Sequence, residues 1–350
     1  MLWNVVKSGW SDTSGINKYT IMKLAFKICF LFLLAISYSG FLSCQQLPKQ
    51  NKTESVEPVL TEGELEFADL VDSRSITDRL KFVTKLPVEV NECSGLEFIH
   101  GDLWTLNDSG SPSTLYQIDK ADDKLVHQIA VQPAVNTDWE ELTASEDQLF
   151  IGNFGNNYGM RKDLAVYVVS LEHINQQTTS AETVATIEFE FEDQTEFRHI
   201  NNKHNFDCEA MVSFNNQLYL FSKNRGDNQC SIYALDLENS DVKQTAKSIA
   251  TFDTKGQVTA ADYDEETGVL ALLGYVYKPA DGSMHPFIYL FYDFPDHNFF
   301  SGQHKRFDLG IQDQAEGLSF IDNNMLLIAC EAESGGQGNL FQFDISGLIQ

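Results

Sequence analysis

The strongest constraint on the fold is an internal repeat, whose copies follow one another at roughly 50 residues, a period expected of propeller blades. Five segments share one order of features. Each opens with an acidic or small residue, then a variable residue and an apolar one. These opening triplets stand at residues 94–96, 140–142, 209–211, 261–263 and 316–318.

Every triplet is followed by a polar turn, a second β-rich run, a loop of variable length and a third strand with aromatic residues. Polar and Gly turn residues between such runs are typical of hairpins. Four copies continue into an outer strand, but the fifth ends after three strands. An unpaired run at residues 80–90, ahead of the first copy, can supply the missing strand.

These patterns predict an all-β fold, a five-bladed β-propeller over residues 79–350, closed by an N-terminal strand that completes the last blade. Radial repetition leaves only short, protected sheet edges, whereas an open array of sheets would expose them. A two-sheet sandwich is the competing arrangement, although it would not need the same opening triplet five times.

Residues 1–44 have the composition of an export signal. Lys23 and Lys27 precede an apolar run at residues 28–36, and small residues follow before Cys44. Met22 is an alternative start of the chain. The small residue before Cys44 resembles a bacterial lipoprotein signal, which predicts lipidation of Cys44; ordinary cleavage nearby is the alternative. Residues 45–78 are polar without sustained periodicity and predict a flexible tether.

The charge of the chain limits its partners. Asp and Glu outnumber Lys and Arg by 51 to 24, a net charge of −27, which opposes broad contact with a phosphate backbone. We therefore expect no nucleic acid polymer as a partner. The expected partners are a membrane, through the lipid anchor, and an unknown small molecule, glycan or protein on the loop face of the propeller.

Four cysteines lie outside the export signal. They lack the CxxC spacing of zinc sites, and most stand in or beside apolar runs, which predicts buried thiols that fill the core. They are Cys93, Cys208, Cys230 and Cys330.

In a propeller the first strand of each blade lines the central channel, so the opening residues face one another. Three of them are Glu140, Glu209 and Glu316. At an effective dielectric of about 20, two carboxylates about 4 Å apart repel by roughly 4 kcal/mol, so the ring must protonate or bind a cation. Oxygen ligands favour Ca²⁺ or Mg²⁺, and a wide ring favours Ca²⁺. The alternative is that these glutamates pair with a channel lysine or with backbone amides.

Several short segments resemble the calcium-activated nucleotidases, or apyrases. They are Ser94-Gly-Leu-Glu-Phe, Leu-Trp-Thr-Leu-Asn-Asp108-Ser-Gly, Trp139-Glu140-Glu-Leu-Thr-Ala and Glu316-Gly-Leu-Ser-Phe. The resemblance implies a five-bladed propeller with Ca²⁺ on its axis, held by Ser94, Glu140, Glu209 and Glu316. In two places the chain departs from this pattern: Ala261 stands where the family has a serine, and the arginine expected beside Asp108 is absent.

The chain also resembles uncharacterised propeller lipoproteins of Bacteroidetes. That resemblance implies a lipid-anchored protein in the cell envelope of a Gram-negative bacterium, and no particular activity.

The loops that join second and third strands share a face with the mouth of the ring. They span residues 107–113, 153–163, 222–229, 274–286 and 331–338. Loops on a rigid scaffold commonly carry binding and catalysis. The ligand-binding candidates are Asn153, Arg161, Lys223 and Arg225, whose cations could hold a phosphate or carboxylate or could simply be solvated.

Two functions remain open. The first is a binding module of the cell envelope with a structural calcium ion, and the second is a calcium-dependent hydrolase of phosphate anhydrides or esters. In the hydrolase, Asp108 and Glu331 are the candidate catalytic residues, as base or metal ligand. The sequence has no convincing Ser-His-Asp set and no P-loop. The missing arginine favours the binding module.

Overall fold

The computed structural model describes residue 76 and residues 78–200, 203–240, 242–332 and 336–349. The predicted signal, Cys44 and nearly all of the predicted tether lie outside these residues. The described chain is almost entirely β-structure, with twenty strands and four 3-10 helices. The 3-10 helices span Val88–Val90, Leu171–His173, Leu237–Asn239 and Phe299–Ser301. In the described part, no helix is both long and apolar enough to cross a membrane.

Antiparallel pairing joins the strands in groups of four, which we number I to V. Group I contains β2 (Cys93–Ile99), β3 (Asp102–Asn107), β4 (Thr114–Ile118) and β5 (Leu125–Gln132). Group II contains β6 (Glu141–Ala144), β7 (Gln148–Asn153), β8 (Leu164–Ser170) and β9 (Ser180–Phe191). Group III contains β10 (Cys208–Phe214), β11 (Gln217–Ser222), β12 (Cys230–Asp236) and β13 (Gln244–Phe252).

The last two groups are separate four-stranded sheets. Group IV contains β14 (Gln257–Asp264), β15 (Val269–Lys278), β16 (Ser283–Tyr292) and β17 (Gln303–Asp308). Group V contains β18 (Ala315–Asp322), β19 (Met325–Cys330), β20 (Asn339–Asp344) and the N-terminal strand β1 (Leu80–Lys85).

The first strands of the groups form a closed cycle. β2 contacts β6, β6 contacts β10, β10 contacts β14, β14 contacts β18, and β18 contacts β2. Short parallel pairings also join the outer strands β5, β9 and β13, which links groups I to III into one twelve-stranded sheet. A cycle of first strands, with each group continuing outward, is the arrangement of a β-propeller.

The N-terminal strand pairs with the C-terminal one. Leu80 registers with Phe343 and Lys85 with Asn339, so β1 is the outer strand of group V, as the sequence predicts. The prediction of one strand over residues 80–90 is wrong beyond Lys85. Pro87 has no amide N–H to donate and a fixed φ, so it ends the pairing, and a 3-10 turn follows.

The core consists of apolar layers between neighbouring groups. Between groups I and II, Trp104, Trp139 and Ile151 are fully buried together, and similar layers separate the other pairs of groups. Burying one such side chain contributes about 1.5–3 kcal/mol, so these layers bind the sheets to one another. The four cysteines are free and fully buried in them, as predicted: Cys93, Cys208, Cys230 and Cys330.

The start of group IV differs from the expected alignment. Each first strand of groups III, IV and V has a bulge near its start, and the bulged residues are Glu209, Thr259 and Glu316. Thr259, and not Ala261, therefore occupies the ring position of group IV. The expectation that Ala261 is the ring residue of group IV is wrong. Tyr263 resembles the apolar third residue of the other triplets in type, but it lies two residues further along the strand than that position.

The connection between β15 and β16 is also shorter than expected. The sequence predicts a loop over residues 274–286, but only residues 279–282 lie outside the two strands. Tyr275, Val276 and Tyr277 are aromatic or β-branched residues that favour strands, and they extend the hairpin.

Candidate functional site

One buried polar residue from each group stands at or just before the start of its first strand. We call these residues the polar ring, and each is at most 4 % exposed. They are Ser94, Glu140, Glu209, Thr259 and Glu316. Because the first strands form a closed cycle, the ring brings together side chains that are far apart in sequence.

The two hydroxyl groups of the polar ring connect neighbouring groups. Ser94 Oγ donates to the carbonyl oxygen of Glu140 at 2.7 Å and lies 3.3 Å from Glu140 Oε2. Thr259 Oγ1 donates to the carbonyl oxygen of Ala315 at 2.7 Å. Both hydroxyls therefore hold the start of the next group's first strand in place.

Three carboxylates meet beside the ring. Asp108, Asp138 and Glu140 each offer an oxygen, and these oxygens all lie within 4.8 Å of one another. Asp108 follows β3, and its amide N–H donates to the carbonyl oxygen of Glu92 at 2.9 Å. We call these three residues the carboxylate triad.

The triad is electrostatically frustrated. Burial, together with repulsion and a shared hydrogen bond from Asp108, raises the pKa of Asp138 to about 7. Burial and then repulsion from Glu209 and Asp108 raise the pKa of Glu140 well above its ordinary value. Among the ion pairs of the described residues, none involves Glu140. The triad therefore favours either protonated carboxyl groups or a bound cation, since no lysine or arginine of the described residues pairs with Glu140.

A glycine gives the backbone close access to the triad. A Cβ atom at Gly155 would lie 1.9 Å from Glu140 Oε1 and 2.5 Å from Asp138 Oδ2. The amide N–H of Gly155 donates to the carbonyl oxygen of Asp138 at 3.2 Å. Any larger residue here would displace the two carboxylates, so their present position depends on this glycine.

The other two glutamates of the ring have a cationic partner. Lys223 is 3 % exposed, its Nζ atom donates to Glu209 Oε2, and it lies 3.6 Å from Glu316 Oε1. Burial lowers the pKa of this ammonium, but Glu209 and Glu316 outweigh burial and raise it well above its ordinary value. Lys223 is therefore charged. For Glu209 and Glu316, the structure has the alternative named above, in which the ring glutamates pair with a lysine of the channel.

Arg225 is also paired inside the site. Its Nε atom donates to Asp207 Oδ2, and its Nη2 atom lies 3.3 Å from Glu209 Oε1. The two cations that the sequence suggests as ligand-binding residues of this loop, Lys223 and Arg225, are thus neutralised by carboxylates of the site.

Asn153 and Arg161 shape the loop above the triad. Asn153 is buried, and its Oδ1 atom accepts from the amide N–H of Asp138 at 3.1 Å. The Arg161 guanidinium donates to the carbonyl oxygens of Gly155 at 2.8 Å and Asn153 at 3.2 Å. These contacts give both predicted ligand-binding residues a supporting position in the loop.

Glu331 lies at the equivalent end of group V. Its amide N–H donates to the carbonyl oxygen of Gln314 at 2.9 Å. Burial, with repulsion from Glu316 and Asp108, raises the pKa of Glu331 to about 9. This carboxyl group is therefore protonated at neutral pH and can act as a proton donor.

Besides Thr259 and Gly155, two acidic residues of the site, Asp138 and Asp207, were not predicted from the sequence. Both precede a ring glutamate by two positions, in Asp138-Trp-Glu140 and Asp207-Cys-Glu209. Asp207 accepts from the amide N–H of Asn156 at 2.7 Å and pairs with Arg225. The repeated Asp-x-Glu pattern ahead of two first strands is the signal that could have found them.

The donor set fits a hard divalent cation. At the triad three carboxyl groups meet, and none of them forms an ion pair among the described residues. The donors are oxygens only, and two of them pack directly against Gly155. Oxygen donors of this kind suit Ca²⁺ or Mg²⁺.

No protein-family model and no curated protein matches this chain. Among solved structures, an α-L-arabinofuranosidase from Fusarium graminearum is 9% identical with a TM-score of 0.43, covering 77% of this chain and 99% of the enzyme. A GH43 β-1,3-galactosidase is 10% identical with a TM-score of 0.43, covering 71% and 90%. A GH32 β-fructofuranosidase from Bombyx mori is 10% identical with a TM-score of 0.41, covering 77% and 63%. With TM-scores this low, we transfer neither substrate nor site residues from these enzymes.

Proposed function

We propose that this protein is an exported, lipid-anchored, five-bladed β-propeller that binds Ca²⁺ at the carboxylate triad and serves as a binding module of a Gram-negative cell envelope. One observation carries the proposal: three carboxylates converge within 4.8 Å, and two of them pack against a backbone position that only a glycine permits. The blade count is supported by the groups of four antiparallel strands and the cycle of their first strands.

The triad is the part of the site that needs a cation. Without one, desolvation and repulsion force protons onto Asp138 and Glu140. A bound Ca²⁺ replaces those protons and removes the repulsion. Because Asp108 lies at the loop face, an ion held there can offer a further coordination position to an oxygen of a glycan, peptide or small ligand.

Calcium titration of the purified protein tests this proposal. We expect Ca²⁺ to raise the melting temperature relative to chelator, because a ligand that binds only the folded state adds roughly 2.7 kcal/mol at one hundred times its dissociation constant. Asp138→Asn and Glu140→Gln should remove the shift, whereas Glu182→Gln, at an exposed residue of the outer strand β9, should keep it. A wild-type protein with equal melting temperatures in Ca²⁺ and chelator would contradict the proposal.

A second function is favoured by the pair Asp108 and Glu331. Because burial and repulsion from Glu316 and Asp108 raise the pKa of Glu331 to about 9, the site contains a proton donor beside carboxylates that can accept a proton. This suits a calcium-dependent phosphohydrolase, in which the metal would orient the substrate and lower the pKa of its water. Calcium-dependent release of phosphate from nucleoside diphosphates, lost in Asp108→Asn and Glu331→Gln, would favour this function over the binding module.

The lipid anchor has a separate test. Cells that express the full chain should incorporate labelled palmitate into it, and Cys44→Ser should abolish that incorporation. Unchanged labelling in the variant would exclude Cys44 as the anchor.

A further inference from the structure

The polar ring is divided between two kinds of cation site. On one side, Glu140 joins Asp108 and Asp138 without a cationic partner. On the other side, Glu209 and Glu316 share the ammonium of Lys223. An ion on the axis of the propeller would require all three glutamates as ligands, but two of them already pair with Lys223.

We infer that the Lys223 ammonium takes the place of a metal ion between Glu209 and Glu316. The site therefore binds a single divalent ion at the triad, away from these two glutamates. The inference rests on the proposed calcium binding and adds where the ion lies and how many bind. It also assigns a latent second cation site to Glu209 and Glu316.

The contacts of Glu209 leave little room for a metal. Its Oε2 atom accepts from Lys223 and its Oε1 atom lies 3.3 Å from Arg225 Nη2. Both oxygens are therefore already used by cationic groups. An ion bound to Glu209 would have to displace at least one of these groups, and Lys223 has almost no exposed surface through which water could solvate it instead.

The environment of Lys223 holds the ammonium in place. Besides the two glutamates, the ring of Tyr275 lies 5.0 Å from Nζ, within the range of a cation–π contact. A displaced ammonium would lose these partners inside a buried space. Lys223 therefore competes with a metal at this position as a covalently attached ligand, at a high effective concentration.

Glu316 has a carboxylate oxygen that the contact with Lys223 leaves unused. Its Oε1 atom accepts from Gln314 Nε2 at 2.9 Å and faces Lys223, while its Oε2 atom is buried without a partner. If the ammonium were removed, Glu209 and Glu316 would become two neighbouring carboxylates with an unused oxygen. That arrangement has the composition of a second divalent-cation site.

Isothermal titration of Ca²⁺ into the wild-type protein and three variants tests the inference. We expect one ion per wild-type chain, loss of binding by at least tenfold in Glu140→Gln, and a change of less than threefold in Glu316→Gln. Lys223→Met should bind two ions per chain, and its melting temperature should fall in chelator and recover with Ca²⁺. Glu182→Gln, on an exposed strand, is the control and should behave as wild type.

The outcomes separate the two proposals. A wild-type chain that binds no Ca²⁺ ends the proposed function and this inference with it. Binding of one ion that is weakened as much by Glu316→Gln as by Glu140→Gln retains the proposed function and overturns the inference. If Lys223→Met does not fold, the comparison of Glu316→Gln with Glu140→Gln still decides the question.

Discussion

Glu140 and Glu141 are adjacent and both buried, yet they belong to two regions with opposite chemistry. Glu140 faces other carboxylates at the carboxylate triad. Glu141 faces backbone: its Oε1 atom accepts from the amide N–H of Leu142 at 3.0 Å, and its Oε2 atom accepts from that of Ala261 at 3.1 Å. One carboxyl group therefore joins group II to group IV, while its neighbour has no such bonds to the backbone of the described residues.

Further along the first strands, Asp262 resembles Glu141. Its Oδ2 atom accepts from the amide N–H of Phe320 at 2.7 Å, which joins groups IV and V. We call Glu141 and Asp262 the far cluster. The comparison teaches that the number of acidic groups does not distinguish a ligand site from a structural one. The distinction lies in what faces them: amide N–H donors satisfy the far cluster, whereas the triad carboxylates mainly repel one another.

The largest expected effect is on the far cluster. Glu141→Gln keeps the shape of the side chain but turns an NH₂ group toward one of the two amide N–H donors, which leaves a buried donor unpaired and should lower the free energy of unfolding by about 1–3 kcal/mol. Urea unfolding in chelator measures this. Glu140→Gln is the matched variant and should change the stability by less than about 1 kcal/mol, since no backbone donor depends on it. Equal losses in both variants would erase the distinction between the regions.

The second prediction concerns the contact between Gly155 and the triad. Gly155→Ala places a Cβ atom against Glu140 Oε1 and Asp138 Oδ2, so we expect Ca²⁺ affinity to fall at least tenfold, about 1.4 kcal/mol. Gly282→Ala is the control, because a Cβ atom there meets nothing within 4 Å. It can cost some stability through its positive φ but should leave calcium affinity unchanged. Tight binding of Ca²⁺ by Gly155→Ala would show that the triad does not need a glycine at this position.

The third prediction uses pH. Glu331 has its pKa raised to about 9, and Asp262 in the far cluster has its pKa raised to about 6. A carboxyl group with a raised pKa binds more protons in the folded state, so its contribution to stability falls as pH rises from its unfolded pKa to its folded one. In chelator, wild-type stability should therefore keep falling between pH 7 and about 9, beyond the range of Asp262. Thermal melts should show a shallower fall in Glu331→Gln, and an unchanged slope would contradict the assignment.

The smallest expected effect is on thiol reactivity. Cys93 and Cys208 directly precede ring residues, and burial raises the pKa of Cys93 to about 12. Such a thiol is protonated and buried. Ellman's reagent should therefore react with the folded protein only when the apolar layer that contains the thiol opens. Ca²⁺ should slow that reaction further, while Glu141→Gln should speed it. Rapid reaction of these thiols in the native protein would show that the layer is open.

Much of the fold could be predicted from sequence because the repeat is local. Alternating runs and turns fix each hairpin, and the unpaired run at the N-terminus finds its partner by elimination, which gives the pairing of β1 with β20. The extent of that strand could also have been predicted, since Pro87 stands within the run. The alignment of group IV could not, because residue types alone make residues 261–263 resemble the other opening triplets, while the bulge that marks the ring position is a feature of strand pairing and leaves no mark in residue type.

The site was only partly predictable for a related reason. Periodicity shows which residues open each first strand, and so it found Glu140, Glu209 and Glu316. It does not show which of them a neighbouring group will neutralise. Lys223 comes from the end of β11, and only the packing of groups III and V places its ammonium between Glu209 and Glu316.

The pairing of β1 with β20 has a consequence for biosynthesis. Lys85 and Asn339, which meet in this pairing, are 254 residues apart in the chain, so a ribosome must complete almost the whole domain before the first strand can find its partner. Until then the ring stays open, with group V short of its outer strand. Closure therefore couples the maturation of the entire domain to the synthesis of β20, and a product that lacks β20 would be left with an unsealed, protease-sensitive ring.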